Sequence, residues 1–442
     1  MKKGFLWGAS TAAYQIEGAY NKDGKSPSIW DTYSHDGRCF RNQNGDVACD
    51  HYNRYVEDVE LMAELGINSY RFSISWSRII PNDDGKISQQ GIAFYSKLVD
   101  ELLIHNITPM VTLFHWDLPQ YIFEKGAFMR RDIVNDFERY VQAVVDALGD
   151  RVKYFNTINE AQSALSGYYC RGLAPGIELS QKDMLTSMHN LLCCHGKAVR
   201  TIRAKVPDAK IGFAMCGWIP CPKEESQSNI EKCRELLFSV DENHPTDCIV
   251  CMADAVYTGK YPKYFLEKFA DILPDIKDGD MELISSKIDF IAQNIYSGYY
   301  VDENGNKVSF VNGSPMNNCG WDDIPESIYW GMKFMYERYK LPIIITENGY
   351  SQNDRVCLDG KVHDSYRIDM MTRYLKNIRK AINDGIEING YYHWSLLDNF
   401  EWQSGYSQRF GLIYVDYSTC ERIKKDSFVF YQNVIKTNGK TI

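Results

Sequence analysis

Eight short β-rich runs recur along this 442-residue chain, separated by longer stretches with helical periodicity. They are "GFLWGAS" (4–10), "SYRFSIS" (69–75), "TPMVTLFH" (108–115), "YFNTIN" (154–159), "KIGFAM" (210–215), "DFIAQNIY" (289–296), "PIIITE" (342–347) and "GYYHWSLL" (390–397). Between them, segments such as "RYVEDVELMAELG" (54–66) place apolar residues at helical spacing and end on Gly66 as a stop signal. Eight such alternations predict an α/β fold of one kind, a single closed (β/α)8 TIM barrel spanning 1–442 as one domain. An open doubly wound sheet would need a G-x-G-x-x-G loop after the first strand, and "WGASTAAYQIEG" does not supply that spacing.

Composition narrows the function classes. The chain is 44% hydrophobic with a net charge of -9, and it has no Lys/Arg block, which argues against nucleic-acid or acidic-membrane partners. The N-terminal "MKKGFLWGAS" is too short in apolar residues for a signal-peptide core, and no run approaches membrane-spanning length. A soluble, cytoplasmic protein is expected. The 13 cysteines are odd in number and irregular in spacing, which suits reduced thiols better than a disulfide framework. Cys248-Ile-Val-Cys251 has no second pair to complete a metal site. No repeat or coiled-coil pattern bears on oligomeric state.

In a barrel, chemistry belongs at the C-terminal ends of the strands. A strand as apolar as 342–346 has no comfortable place for the carboxylate of Glu347 unless that end faces a cleft. The same rim collects Gln15, Arg71, His115-Trp116, Asn159-Glu160, Asn294, Tyr296, Trp394 and Glu401-Trp402. Two carboxylates, Glu160 and Glu347, flanking a cleft are what glycosidic bond cleavage requires: an acid for the leaving oxygen and a base or nucleophile opposite. Gln, His and Asn offer the mixed donors and acceptors that sugar hydroxyls need, and Trp offers a flat face to the C–H surface of a ring. His115 and His393 are isolated, so no metal and no cofactor is expected.

Several motifs, in order over essentially the whole chain, resemble glycoside hydrolase family 1, the retaining β-glucosidases: "FLWGASTAAYQIEGA", "YRFSISWSRI", "TLFHWDLP", "FNTINE", "ITENG", "HWSLLDNFEW" and "GYSQRFGLIYVDY". The resemblance implies that Glu160 is the general acid/base and Glu347 the nucleophile, roughly 5–5.5 Å apart, with Glu347 ionised and Glu160 protonated at rest. It further implies that Arg71 and Tyr296 hold the nucleophile. Asn159, Gln15, His115, Trp402 and Glu401 would bind sugar hydroxyls, Asn294 and Tyr296 would complete the substrate site, and Trp394 would lie under the ring. Trp321 is a candidate wall of the leaving-group side.

The sequence departs from the family pattern in places. Ala161 replaces a usual proline, which relaxes the preference of Glu160 for extended backbone. Cys216 stands where an asparagine is frequent, and Leu173 and Asn190 differ at positions expected to line the leaving-group side. The resulting expectation is a retaining exo-β-glucosidase acting on a small β-glycoside. The alternatives are a 6-phospho-β-glucosidase, disfavoured by Glu401, and a non-catalytic glycan-binding protein, disfavoured because both glutamates are kept. A thioglucosidase would lack the acid carboxylate that Glu160 supplies.

Overall fold

The computed structural model describes residues 1–170, 172–310 and 312–442. Eight parallel strands form the barrel: β1 (Leu6–Ser10), β2 (Ser69–Ser73), β3 (Thr108–Phe114), β4 (Tyr154–Asn159), β5 (Lys210–Cys216), β6 (Phe290–Asn294), β7 (Ile343–Asn348) and β8 (Ile388–Trp394). They are hydrogen-bonded in sequence order, and β1 pairs with both β2 and β8 to close the ring. All eight predicted runs are therefore barrel strands, displaced at their ends by a few residues. The closed (β/α)8 architecture is as expected.

Met110, Ala214, Phe290, Ala292, Ile344 and Tyr392, from five of the strands, pack together in one apolar cluster. A much larger cluster joins strands to helices. Helix Ile133–Leu148 shows how the outer layer is held. It buries Ile133, Phe137, Tyr140, Val141, Val144 and Leu148 along one stripe, each such side chain worth about 1.5–3 kcal/mol of burial. Tyr140 also donates to the carbonyls of Ile74 and Leu113 at 3.0 and 2.7 Å. Helix His51–Leu65 ends at Gly66 as its sequence predicts.

Two small sheets escaped the sequence pattern. Ile219–Pro222 pairs in parallel with Gly298–Val301, and Ile413–Asp416 pairs antiparallel with Glu421–Lys424. The first contains two prolines, which lack the N–H a ladder uses and so do not read as strand. Among the described residues no helix is long and apolar enough to cross a membrane.

Candidate active site

The strand ends deliver their polar residues to one point. Arg71, in the middle of β2, is fully buried and donates from one guanidinium nitrogen to Glu347 Oε1 at 2.6 Å and from another to Asn159 Oδ1 at 2.5 Å. Tyr296, two residues past β6, donates its hydroxyl to Glu347 Oε2 at 2.6 Å. Both oxygens of Glu347 thus hold charge-assisted bonds, among the stronger kind. Asn294 donates through Nδ2 to Asn159 Oδ1 at 3.1 Å and to Glu160 Oε1 at 2.7 Å, while its own Oδ1 accepts from Thr346 at 2.7 Å. The two carboxylates are therefore joined through Asn294, Asn159 and Arg71.

Asn348-Gly349 is more than a turn after the strand. Asn348 completes β7 and donates to the Ile295 carbonyl at 2.8 Å. A Cβ at Gly349 would lie 1.8 Å from the Trp394 carbonyl oxygen, so only glycine permits that approach.

Charge in this cleft is governed by burial. Desolvation pushes Glu347 up to about 7; the Arg71 charge opposes it, the Glu160 charge adds to it, and the Tyr296 and Arg71 hydrogen bonds oppose it. Desolvation likewise pushes Glu401 up to about 8, aided by the charges of Glu347 and Glu160 and opposed by the Gln15 amide. Burial, then Arg71, holds His115 well below the usual imidazole value, so its ring is neutral. Asn159 Oδ1 is an acceptor for Arg71, so its Nδ2 is the group facing His115 Nε2 at 3.0 Å. Nε2 then accepts, the ring proton sits on Nδ1, and Nδ1 has no partner in the protein. Gln15 donates to Glu401 Oε2 at 3.2 Å and leaves its own Oε1 unpartnered. Unsatisfied buried donors and acceptors of this kind are what a polyhydroxylated ligand satisfies.

A cavity of about 620 Å³ opens onto these groups. Its lining includes Glu160, Glu347, Glu401, His115, Asn294 and Tyr296, while Gln15, Arg71 and Asn159 stand behind those residues. The aromatic wall is Trp116, Trp394, Trp402 and Trp321. Trp394 stacks on His115 with ring centres 5.9 Å apart, and Trp321 packs edge-on to Tyr296 at 5.3 Å. Glu160, Trp116 and Trp402 all adopt left-handed backbone, with φ of 41°, 76° and 50°. Each costs about 1–2 kcal/mol for a non-glycine residue, and such strain gathers at functional sites. Glu160 is held there by its N–H on the Ala214 carbonyl at 2.8 Å. With Ala161 opening the next helix, Glu160 is not extended.

Every residue expected at the rim is brought to the cleft or directly behind it, but two departures resolve differently. Leu173 lines the cavity as expected. Asn190 does not: it is buried in helix Gln181–Lys205 and donates to the Phe128 carbonyl at 2.8 Å, so its place on the leaving-group side is corrected to a structural one. The sequence pattern missed Gln162, Ser163, Tyr169, Trp218 and Asp247, which line the outer cavity. Those lying on a helix or loop outside the strand-end pattern carry no periodic signal. Also unforeseen is a buried trio, His189, Cys193 and Asp280, whose ligand atoms lie within 4.8 Å of one another. The His-x-x-x-Cys spacing on one helix was its only sequence signal. Asp280 there is already engaged by both terminal nitrogens of Arg131, by the Lys277 N–H and by His189. With a guanidinium neutralising the carboxylate, the trio is satisfied as a hydrogen-bonded network.

Comparison with known proteins agrees with this geometry. A 1,4-beta-D-glucan glucohydrolase of Thermotoga neapolitana is 44% identical over the full length of both chains. A β-glucosidase from Thermotoga maritima, solved in complex with glucoimidazole, superposes with a TM-score of 0.90 at 42% identity, covering 99% of each chain. An aryl-phospho-beta-D-glucosidase of Bacillus subtilis is 37% identical over all of this chain and 98% of its own. The family model for glycosyl hydrolase family 1 matches residues 1–440, and the chain belongs to that family.

Proposed function

We propose that the protein is a retaining exo-β-glucosidase. It would remove terminal β-D-glucosyl residues from small glycosides, with residues 1–442 acting as one catalytic domain. The observation that carries this reading is the carboxylate pair at the ends of β4 and β7 on one cavity, with both oxygens of Glu347 held by Arg71 and Tyr296. In the first step Glu347 attacks the anomeric carbon while Glu160 gives its proton to the departing oxygen. The product is a glucosyl ester on Glu347. Glu160, now a carboxylate, takes a proton from water, whose oxygen replaces Glu347 at the anomeric carbon and restores the original configuration.

Recognition of glucose falls to Gln15, His115, Asn159, Asn294, Tyr296, Glu401 and Trp402, with Trp394 against the ring and Trp321 as a wall for the leaving group. At neutral pH the protonated Glu401 both donates to and accepts from hydroxyls. A cytoplasmic location stays part of this proposal and rests on composition.

The phosphoglucosidase alternative finds less support. Among the described residues, those lining the cavity include no Lys or Arg. Arg409, which follows the motif where a phosphate would bind, is taken by Asp398 at 2.7 Å and the Val415 carbonyl at 3.0 Å. A phosphate dianion would enter a partly buried site beside the Glu347 carboxylate, with no Lys or Arg among the described residues that line it.

The test uses nitrophenyl β-glucoside beside its 6-phosphate, and then Glu347→Gly with added azide. We expect hydrolysis of the free glucoside alone, abolished by Glu347→Gly and partly regained with azide as an α-glucosyl azide. Preference for the phosphate would overturn the substrate, a β-azide the role of Glu347. Inertness toward both would revive a glycan-binding role.

A further inference from the structure

The region around Glu160 contains a pair of groups that the strand-end pattern does not account for. Glu160 Oε1 accepts from the Asn294 amide, which can only donate. Glu160 Oε2 is 2.8 Å from the hydroxyl of Ser163, three residues on in helix Ala161–Ser166. The same hydroxyl lies 3.3 Å from Cys216 Sγ, at the end of β5, and either atom of that contact can donate. Burial, then the charge of Glu160, pushes the Cys216 thiol well above its usual value, so it stays an S–H group. Gln162 ties the same corner together by donating to the Cys216 carbonyl at 3.1 Å.

A residue that serves as acid in one step and base in the next needs at least one partner that suits both forms. An amide N–H can donate to either form but cannot accept from the protonated oxygen; a hydroxyl can donate to the ion and accept from the acid. We propose that Ser163, with the Cys216 thiol as its second partner, is a positioning residue for Glu160 that follows its change of protonation. When Glu160 is ionised, Ser163 donates to Oε2 and accepts from the Cys216 S–H. When Oε2 is protonated and no substrate is bound, the hydroxyl turns, accepts from Glu160 and points its own hydrogen toward Sγ. With substrate bound, the Oε2 proton turns to the departing oxygen while Ser163 keeps its bond to Sγ. No proton is transferred along this chain. Each hydrogen stays on its heavy atom, and only the rotor orientations change. Because a hydrogen bond to the charged form is the stronger of the two, the net effect of Ser163 is to favour the carboxylate and to keep its plane fixed in both steps. This rests on the acid/base role proposed for Glu160.

The test is the pH profile of kcat/KM for an alkyl β-glucoside, whose leaving group needs a proton, beside a dinitrophenyl β-glucoside, whose leaving group does not. In Ser163→Ala we expect the basic limb on the alkyl substrate to move up by about half a unit to one unit and kcat to fall about tenfold. Glycosylation by the dinitrophenyl substrate should change little. Ser163→Thr and Ser163→Val match in shape and differ in the hydroxyl: Thr should restore the wild-type limb and Val should not. This pair also decides the matter if Ser163→Ala folds poorly. An unmoved limb, or equal behaviour of Thr and Val, overturns the proposal. Glu160→Ala with azide on the dinitrophenyl substrate tests the underlying role separately. A β-glucosyl azide product upholds Glu160 whatever Ser163 does, whereas unchanged alkyl-glucoside turnover by Glu160→Ala would remove the acid/base role itself.

Discussion

Glu347 sets the chemistry at the residue scale, because two opposing influences meet on one carboxyl group. Burial favours its neutral form and brings it to about 7, while Arg71 and Tyr296 favour the ion. The proposed reaction needs the ion, so kcat/KM should fall as pH drops through about 7. Tyr296→Phe removes a hydroxyl whose bond favours the charged form, so it should move this acidic limb upward by up to about one unit. A pH–rate profile measures this directly, and a limb that stays put or moves down would show that the 2.6 Å bond does not tune Glu347. Glu347 itself was legible from sequence because a charge ending an apolar strand is a local contradiction. Ser163 and Cys216 were not, since a serine on a short helix and a cysteine closing a strand are ordinary in isolation. Their contact joins positions 53 residues apart.

At the scale of the element, the loop after β8 carries Glu401 and Trp402 into the cavity, and a buried charge network beneath it holds that loop in place. Lys425 is fully buried and donates to Asp398 at 2.6 Å and Asp354 at 2.5 Å. Arg367 also pairs with Asp354, at 2.7 Å, and Arg409 pairs with Asp398. Asp398 is three residues from Glu401, so the network and the sugar contact share one short segment. Lys425→Met fills the space but leaves both aspartates short of a partner, which costs about 3–5 kcal/mol. A lower denaturation midpoint should be accompanied by weaker glucoside turnover. Full stability with full activity would show the loop to be held by its packing alone. The same network accounts for Arg409, whose guanidinium is turned to Asp398.

For the whole molecule, the decisive event is closure of the ring. β1 is five residues long and must pair on both edges, with β2 and with β8. A Cβ added at Gly8 would lie 2.3 Å from the Tyr392 ring and 2.8 Å from the Ser69 carbonyl oxygen. Gly8→Val therefore overfills the seam between the first and last strands and should cost about 3 kcal/mol or more, read as a lower urea midpoint or loss of folded protein. A midpoint equal to that of the wild type would show that the seam can open to admit the side chain. The sequence by itself determined the eight strands, the barrel they close into and the rim residues at their ends. Hydrophobic periodicity is local, and in a parallel barrel each strand ends at the same face. Only the tertiary structure decided which way Asn190 and Arg409 turn, which nitrogen of His115 carries the proton, and that Ser163 and Cys216 meet at Glu160. It also decided how far Glu347 and Glu401 rise. Hydrogen-bond direction and desolvation are set by neighbours that the chain brings together only once the ring has closed.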